Sequence, residues 1–330
     1  MKKTIIMSNE SLLPPEPCRE RVLPLDLPPE AAFVHRNTNG VLPADYGPVT
    51  LSAHCTFDGD FCSQDFMVVG DAATNRYVFA GALTADRSLT HLTLERRQGR
   101  FTCLRIRQPH ILPNQPGEEI WVAEGSDWRE LIKEYADRVA RQAGIGPISA
   151  RENLTGWCSW YYHYEEFHSG HLEEILPQLQ AGGDTYPCRV VQIDDAYQAH
   201  HGDWLELRDS WHIPLGEVAE RIRAIGAIPG IWLMPFLATT TSRVFHEHRD
   251  WFVRDGQDEP YVIKGWSAPP DHHWVCLDAS RQDVRDHLAD LFRTLREMGF
   301  AYFKLDGTGM SQPEGRRVDP DATPLSAYRL

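Results

Sequence analysis

Four near-continuous apolar runs in the second half of the chain constrain its fold most. They are Leu154–Tyr162, Arg189–Asp195, Ile228–Pro235 and Ala301–Asp306. Such runs are expected where both faces of a strand are covered, as in a parallel sheet flanked by helices. The segments between them carry helical spacing. Pro214 opens one helix, with Leu215, Val218, Ile222 and Ile225 on its stripe and Gly226 at its end. Ser280 is expected to cap another, with Asp283 three residues on; Val284, Leu288, Leu291, Phe292, Leu295 and Met298 form its apolar face and Gly299 stops it. A third begins near His171 and contains Pro177. Between Leu237 and Ala279 lies an excursion longer than ordinary loops, a length that usually serves function. This order fits a small doubly wound sheet or half of a (β/α)8 barrel. No Gly-rich phosphate loop follows any of the strands, which argues against nucleotide binding.

The first half follows different rules. Residues 1–30 are rich in Pro and charge and read as an extended arm. Residues 31–126 contain short alternating runs, among them Val49–Ser52, Phe66–Val69, Tyr77–Ala80, Leu89–Leu94 and Phe101–Ile106. Period-two patterning of β-branched and aromatic residues predicts an antiparallel β-sandwich. Residues 127–150 are expected to form a linking helix, capped by Asp127 and ended at Gly144. Residues 151–330 are then the incomplete barrel, strands one to four. The net charge of −14 argues against nucleic acid or an anionic membrane as partner. Seven scattered cysteines without CxxC spacing read as free thiols. Ile5-Ile6-Met7 is too short for a signal peptide, so a cytoplasmic location is expected.

The polar residues that could carry chemistry fall at the ends of the apolar runs, where barrel active sites sit. In Ala301–Asp306, Lys304 and Asp306 stand two apart and point to one side. A cation there would keep the carboxylate ionised, as a nucleophilic Asp requires; a structural ion pair is the plainer use. Asp194 and Asp195 close another run and suit either hydrogen bonds to hydroxyls or a turn. Trp160 and Trp232 fit a core or a platform for a sugar ring. Asp203 and Trp204 lie in a loop and are expected to meet a ligand. His200-His201 and His272-His273 lack a third ligand at metal spacing, and Cys158 reads as a buried inert thiol.

Taken together these runs resemble glycoside hydrolase family 36, the α-galactosidases or melibiases. The motifs are Gly156-Trp157-Cys158-Ser159-Trp160-Tyr161, then Gln192-Ile193-Asp194-Asp195-Ala196-Tyr197-Gln198 followed by Gly202-Asp203-Trp204. Pro229-Gly230-Ile231-Trp232-Leu233-Met234-Pro235-Phe236 and Tyr302-Phe303-Lys304-Leu305-Asp306 complete the set. The resemblance covers about residues 127–310. It implies a retaining mechanism on terminal α-D-galactosides, with Asp306 as the nucleophile. Lys304 would hold sugar hydroxyls near the reacting carbon, and Asp194 and Asp195 would grip those that distinguish galactose from glucose. Trp160 and Trp232 would line the pocket. No cofactor or metal is implied. Ala196 stands where the family often has Gly, and Gly307 where an aromatic is common. The family's acid/base Asp would come from a later strand, beyond Leu330. Retaining cleavage needs that second carboxyl about 5–5.5 Å from the first, so little turnover is expected from these residues alone. The alternatives are a raffinose-synthase-like galactosyltransferase, a non-catalytic sugar-binding remnant and a non-functional truncation; a homo-oligomer or a complementing C-terminal half is the expected protein partner.

Overall fold

The computed structural model describes residues 17–28, 31, 33–36, 58–111, 116–146, 154–183, 185–263 and 273–329. They fall into two compact units, one within Pro14–Ser149 together with Ala322–Arg329, the other within Ala150–Asp321. The predicted strand Val49–Ser52 and His272 lie outside the described residues.

The first unit is β-rich. Its strands are β1 (Cys18–Pro24), β2 (Phe33–Arg36), β3 (Gly59–Gln64), β4 (Phe66–Asp71), β5 (Arg76–Ala82), β6 (His91–Arg97), β7 (Arg100–Pro109) and β8 (Ile120–Gly125). Among the described residues they form two antiparallel four-stranded sheets, in the orders β1-β7-β6-β3 and β2-β4-β5-β8. Gln98 and Gly99 both take positive φ and close the β6–β7 hairpin with a two-residue turn. One core draws Phe61, Leu92, Leu94, Leu104 and Ile106 from the first sheet and Val34, Met67, Val69, Val78 and Ala80 from the second. The intervening Val68 and Phe79 point the other way, as a two-residue period demands.

Three boundaries expected from sequence are corrected here. The arm is not all arm: Cys18–Pro24 pairs antiparallel with β7 along its whole length. Residues 1–16 lie outside the described residues. The helix α1 (Trp128–Gln142) is capped by Asp127, whose carboxylate accepts from the Arg129 N–H. It packs on the first unit: Leu131, Trp128, Ile132 and Tyr135 cover the outer face around Val68, Tyr77 and Phe79, and the Tyr135 hydroxyl donates to the Ala82 carbonyl at 2.7 Å. Residues 322–329 belong with the first unit and not with the second. Thr323 Oγ1 donates to the Arg87 carbonyl at 2.6 Å, and the short helix Pro324–Arg329 buries Leu325 and Ala327. Both anchors are contacts that no local pattern announces.

The second unit begins with β9 (Gly156–Cys158) and α2 (Trp160–His163). It continues with α3 (Ser169–Ala181), β10 (Val190–Ile193), α4 (Leu215–Ala224) and β11 (Ile228–Leu233). After these come β12 (Leu237–Thr239), α5 (Arg243–Glu247), β13 (Val262–Ile263), β14 (Trp274–Cys276), α6 (Gln282–Glu297) and β15 (Tyr302–Leu305). Its main sheet is wholly parallel, in the order β15-β11-β10-β9. Strands that follow one another in the chain are therefore neighbours, with no reversal of winding. That order excludes the doubly wound alternative for these strands, which needs a switch of direction. The expected excursion is structured: β12, β14 and β13 make a small antiparallel sheet.

Helix α6 buries Val284, Leu288, Leu291 and Leu295 as its spacing predicted. Each such leucine contributes roughly 1.5–3 kcal/mol by leaving water. Ser280 does not cap α6. The N-cap is Arg281, and Ser280 Oγ donates instead to Asp278 Oδ1 at 2.7 Å. The first predicted strand is also shorter than its apolar run. Ser159 takes helical backbone angles and its carbonyl accepts from the His163 N–H, so Trp160 opens a helix and is not a strand residue.

Candidate active site

The C-terminal ends of the four parallel strands converge on one group of polar side chains. Asp194 follows β10 and is buried; its side chain is 3% exposed. Its Oδ2 accepts from Lys304 Nζ at 2.7 Å, Gln192 Nε2 at 2.6 Å and Cys158 Sγ at 3.3 Å. Its Oδ1 accepts from the Asp195 N–H at 3.0 Å. Its own N–H donates to Ser159 Oγ at 2.8 Å. A buried carboxylate is tolerated when its lone pairs are filled, and this one is largely filled by protein. Asp194 thus holds Lys304 more than it offers itself to a ligand. Burial would lower the Lys304 pKa, but the hydrogen bond and charge of Asp194, with smaller help from Cys158 and Asp306, raise it above lysine's ordinary value. Burial, with the nearby Asp194 charge, pushes the Cys158 thiol up despite a backbone hydrogen bond that lowers it. The thiol stays protonated at neutral pH and serves as a donor.

Asp306 follows β15 and is exposed. Its carboxylate is nonetheless oriented: Trp232 Nε1 donates to Oδ2 at 3.2 Å and the Gly307 N–H donates to Oδ1 at 2.8 Å. Its N–H donates to the Leu233 carbonyl at 2.9 Å, which extends the ladder by one bond. Gly307 has φ of 67°, and a Cβ there would sit 2.8 Å from both Leu237 and Met234, so glycine is required. The pairing of Lys304 with Asp306 expected from sequence is corrected: the lysine's bonded partner is Asp194, one strand further across the sheet than β11.

Asp195 is half-buried. Oδ1 accepts from the Ala196 N–H at 2.7 Å, Gln198 Nε2 at 2.5 Å and His201 Nε2 at 3.2 Å; Oδ2 lies 3.3 Å from the same His201 nitrogen. Burial acts to raise its pKa, but these donors outweigh it and hold the carboxyl below the ordinary range. Ala196 has φ of 93°. The position thus favours glycine, and the alanine is held there under strain.

The remaining expectations divide. Trp232 is 4% exposed; its indole N–H serves Asp306 and its carbonyl accepts from Tyr197 Oη at 3.1 Å, so it braces the site from below. Trp160 is half-buried and packs edge-on to Tyr164 at 5.4 Å. Asp203 and Trp204 are both buried. Both Asp203 oxygens accept backbone N–H groups at the start of α5, from Arg243 at 2.7 Å and Val244 at 3.1 Å. Trp204 is 2% exposed and packs against Trp232. Their loop position suggested contact with ligand, but burial assigns them to packing and capping. Sequence reasoning gave no role to Gln192, Trp274 and Tyr161, and weighed His201 only as a metal ligand. Tyr161 is 75% exposed, with Lys304 Nζ 6.0 Å from its ring centre. The aromatic run after Ser159 was the available signal for it. Among the described residues no three His, Cys, Asp or Glu side chains converge to hold a metal ion.

An exposed, oriented carboxylate thus stands near a lysine and a second carboxylate at the C-terminal edge of a parallel sheet. No family model matches the chain. α-Galactosidase AgaA of Geobacillus stearothermophilus is 22% identical over 212 residues, 59% of this chain and 27% of that protein. The chain resembles family 36 α-galactosidases. The α-galactosidase TtGalA of Thermus thermophilus, solved with p-nitrophenyl α-D-galactopyranoside, matches with a TM-score of 0.67 at 23% identity, covering 92% of this chain and 61% of that one. Its complex with stachyose gives 0.66 at 24% identity, covering 90% and 62%. At such identity the structural likeness speaks for the fold. The chain spans less than two thirds of the length of each of these relatives. Among the described residues, no helix is long and apolar enough to cross a membrane.

Proposed function

We propose that the chain carries the nucleophile half of a retaining α-galactosidase, built from a β-sandwich and the first four strands of a (β/α)8 barrel. In this reading an Asp306 oxygen attacks the anomeric carbon of a terminal α-D-galactoside. The bond from that carbon to the aglycone oxygen breaks, and a galactosyl–aspartate ester forms. Lys304 and Asp195 hold sugar hydroxyls. Asp194 keeps Lys304 charged and aimed, and Trp160 and Tyr161 border the sugar. A water later attacks the same carbon, the bond from that carbon to the Asp306 oxygen breaks to return the carboxylate, and the water's extra proton leaves to solvent. An ordinary aglycone also needs a proton donor, a role that none of these residues takes.

The observation that carries the reading is the posture of Asp306. Its two oxygens are held by Trp232 Nε1 and the Gly307 N–H, while the residue itself remains exposed at the strand mouth. Orientation without burial is what a nucleophile that must meet an incoming carbon needs. The galactoside ligands of the Thermus relative add support for the substrate class.

The test uses an aglycone that departs without a proton. p-Nitrophenyl α-D-galactopyranoside is expected to give a burst of at most one nitrophenolate per chain, with little turnover after it. Peptide mass spectrometry should find one added hexosyl group on the Asp306 peptide. Asp306→Asn should abolish both. No burst and no adduct, or an adduct that persists in Asp306→Asn, would overturn the assignment.

A further inference from the structure

We infer that His201 is a positioning residue that fixes Asp195 with Oδ2 open to a galactoside hydroxyl. The inference rests on the galactoside reading of the site and assigns a residue that reading does not use. The argument starts from proton placement. Trp274 Nε1 is 3.0 Å from His201 Nδ1. An indole N–H only donates, so Nδ1 is the acceptor and carries no proton. The proton of the neutral ring is therefore on Nε2, the nitrogen that faces both Asp195 oxygens. The tautomer follows from geometry alone.

The ring is held as firmly as its proton. It stacks on Trp204 at 5.8 Å and lies against Trp232 at 5.6 Å and Trp274 at 5.9 Å. Its backbone carbonyl accepts from the Thr239 N–H at 2.9 Å. Two of these indoles come from β11 and β14, so the ring is clamped between separate elements. Asp195 answers asymmetrically. Oδ1 accepts from three donors, whereas Oδ2 has His201 alone among the described residues, and the side chain is 20% exposed. Each carboxylate oxygen offers about two acceptor positions, so Oδ1 is filled and the position left unused lies on Oδ2. Galactose and glucose differ only in the direction of one hydroxyl. A carboxylate fixed in orientation reads that direction, and one free to turn does not.

The test has two arms on the 330-residue chain. The first is nitrogen-15 NMR of the histidine rings at neutral pH. His201 is expected to show a protonated Nε2 and a bare Nδ1; the opposite tautomer overturns the inference whatever the ligand. The second is binding of free galactose and free glucose, by NMR titration, to wild type, His201→Phe and His201→Gln. Phe keeps the packed ring shape and removes both nitrogens, while Gln keeps a donor toward Asp195. His201→Phe is expected to weaken galactose binding by about tenfold or more, the loss of one charge-assisted hydrogen bond, and to narrow the preference over glucose. His201→Gln should restore most of both, which a purely structural role would not. If the wild type binds galactose and His201→Phe binds it equally, the galactoside reading stands and the role of His201 falls. If the wild type binds no galactose while the ring shows the expected tautomer, the galactoside reading falls and takes the inference with it.

Discussion

Replacing Lys304 by Met should destabilise the second unit by about 2–3 kcal/mol. The figure is bracketed by two limits. Removing one member of a fully buried ion pair costs about 3–5 kcal/mol because the other charge is stranded. Removing one member of an exposed pair costs about 0–1 kcal/mol. Here the pair is lopsided: Asp194 is 3% exposed and Lys304 29%. The carboxylate would keep Gln192, Cys158 and the Asp195 N–H as donors, and water can enter where the lysine head was. Those factors pull the cost below the buried limit without bringing it to the surface one. The assay is urea unfolding followed by tryptophan fluorescence, since Trp204, Trp211, Trp232 and Trp274 are buried in this unit. Asp194→Asn and the double variant complete a cycle, and the double variant should recover at least about 1 kcal/mol. A loss under about 0.5 kcal/mol, or additive single effects, would refute the claim that Lys304 is there to serve Asp194. The pH dependence has a fixed sign. Lys304 has a folded pKa above its unfolded value, so the stabilisation is whole below lysine's ordinary value of about 10.4. On the alkaline side it fades as pH rises through the folded value.

Two further predictions follow from the backbone. Ala196→Gly should stabilise the chain by about 1 kcal/mol, because φ of 93° strains any residue with a Cβ; an unchanged unfolding midpoint would show that no strain is stored there. Asp65 sits in the left-handed region with φ of 66°, its Oδ1 is buried without a partner, and burial lifts its pKa to about 6. The folded state therefore binds more protons than the unfolded state between about pH 4 and 6, and stability falls as pH rises through that window. Asp65→Asn tolerates the same φ. It should flatten that slope and add about 1–2 kcal/mol at pH 7, which thermal unfolding at pH 4.5 and 7 would confirm or refute.

Much of the second unit was legible because its signals are local. The apolar runs that became β10, β11 and β15 are short and continuous, and the stripe of α6 is a single helical face. Asp306, Lys304, Asp194 and Asp195 stood out for the same reason: each lies close to the end of a readable strand or just after it. Sequence reasoning failed where the deciding partner is remote in the chain. Trp160 left its strand because Ser159 turns the chain under Asp194, 35 residues away. Lys304 could be seen to share a side with Asp306, yet its bond goes to Asp194, 110 residues away. Asp203 looked like a loop residue for a ligand until α5 claimed both of its oxygens. Which residues reach the strand mouths could be read from the chain alone, because a two-residue period and a buried run leave few choices. How those residues divide the work came from contacts between elements. Hydrogen-bond capacity is finite, and which oxygen remains open to a ligand depends on donors such as His201 and Lys304 that arrive from other elements.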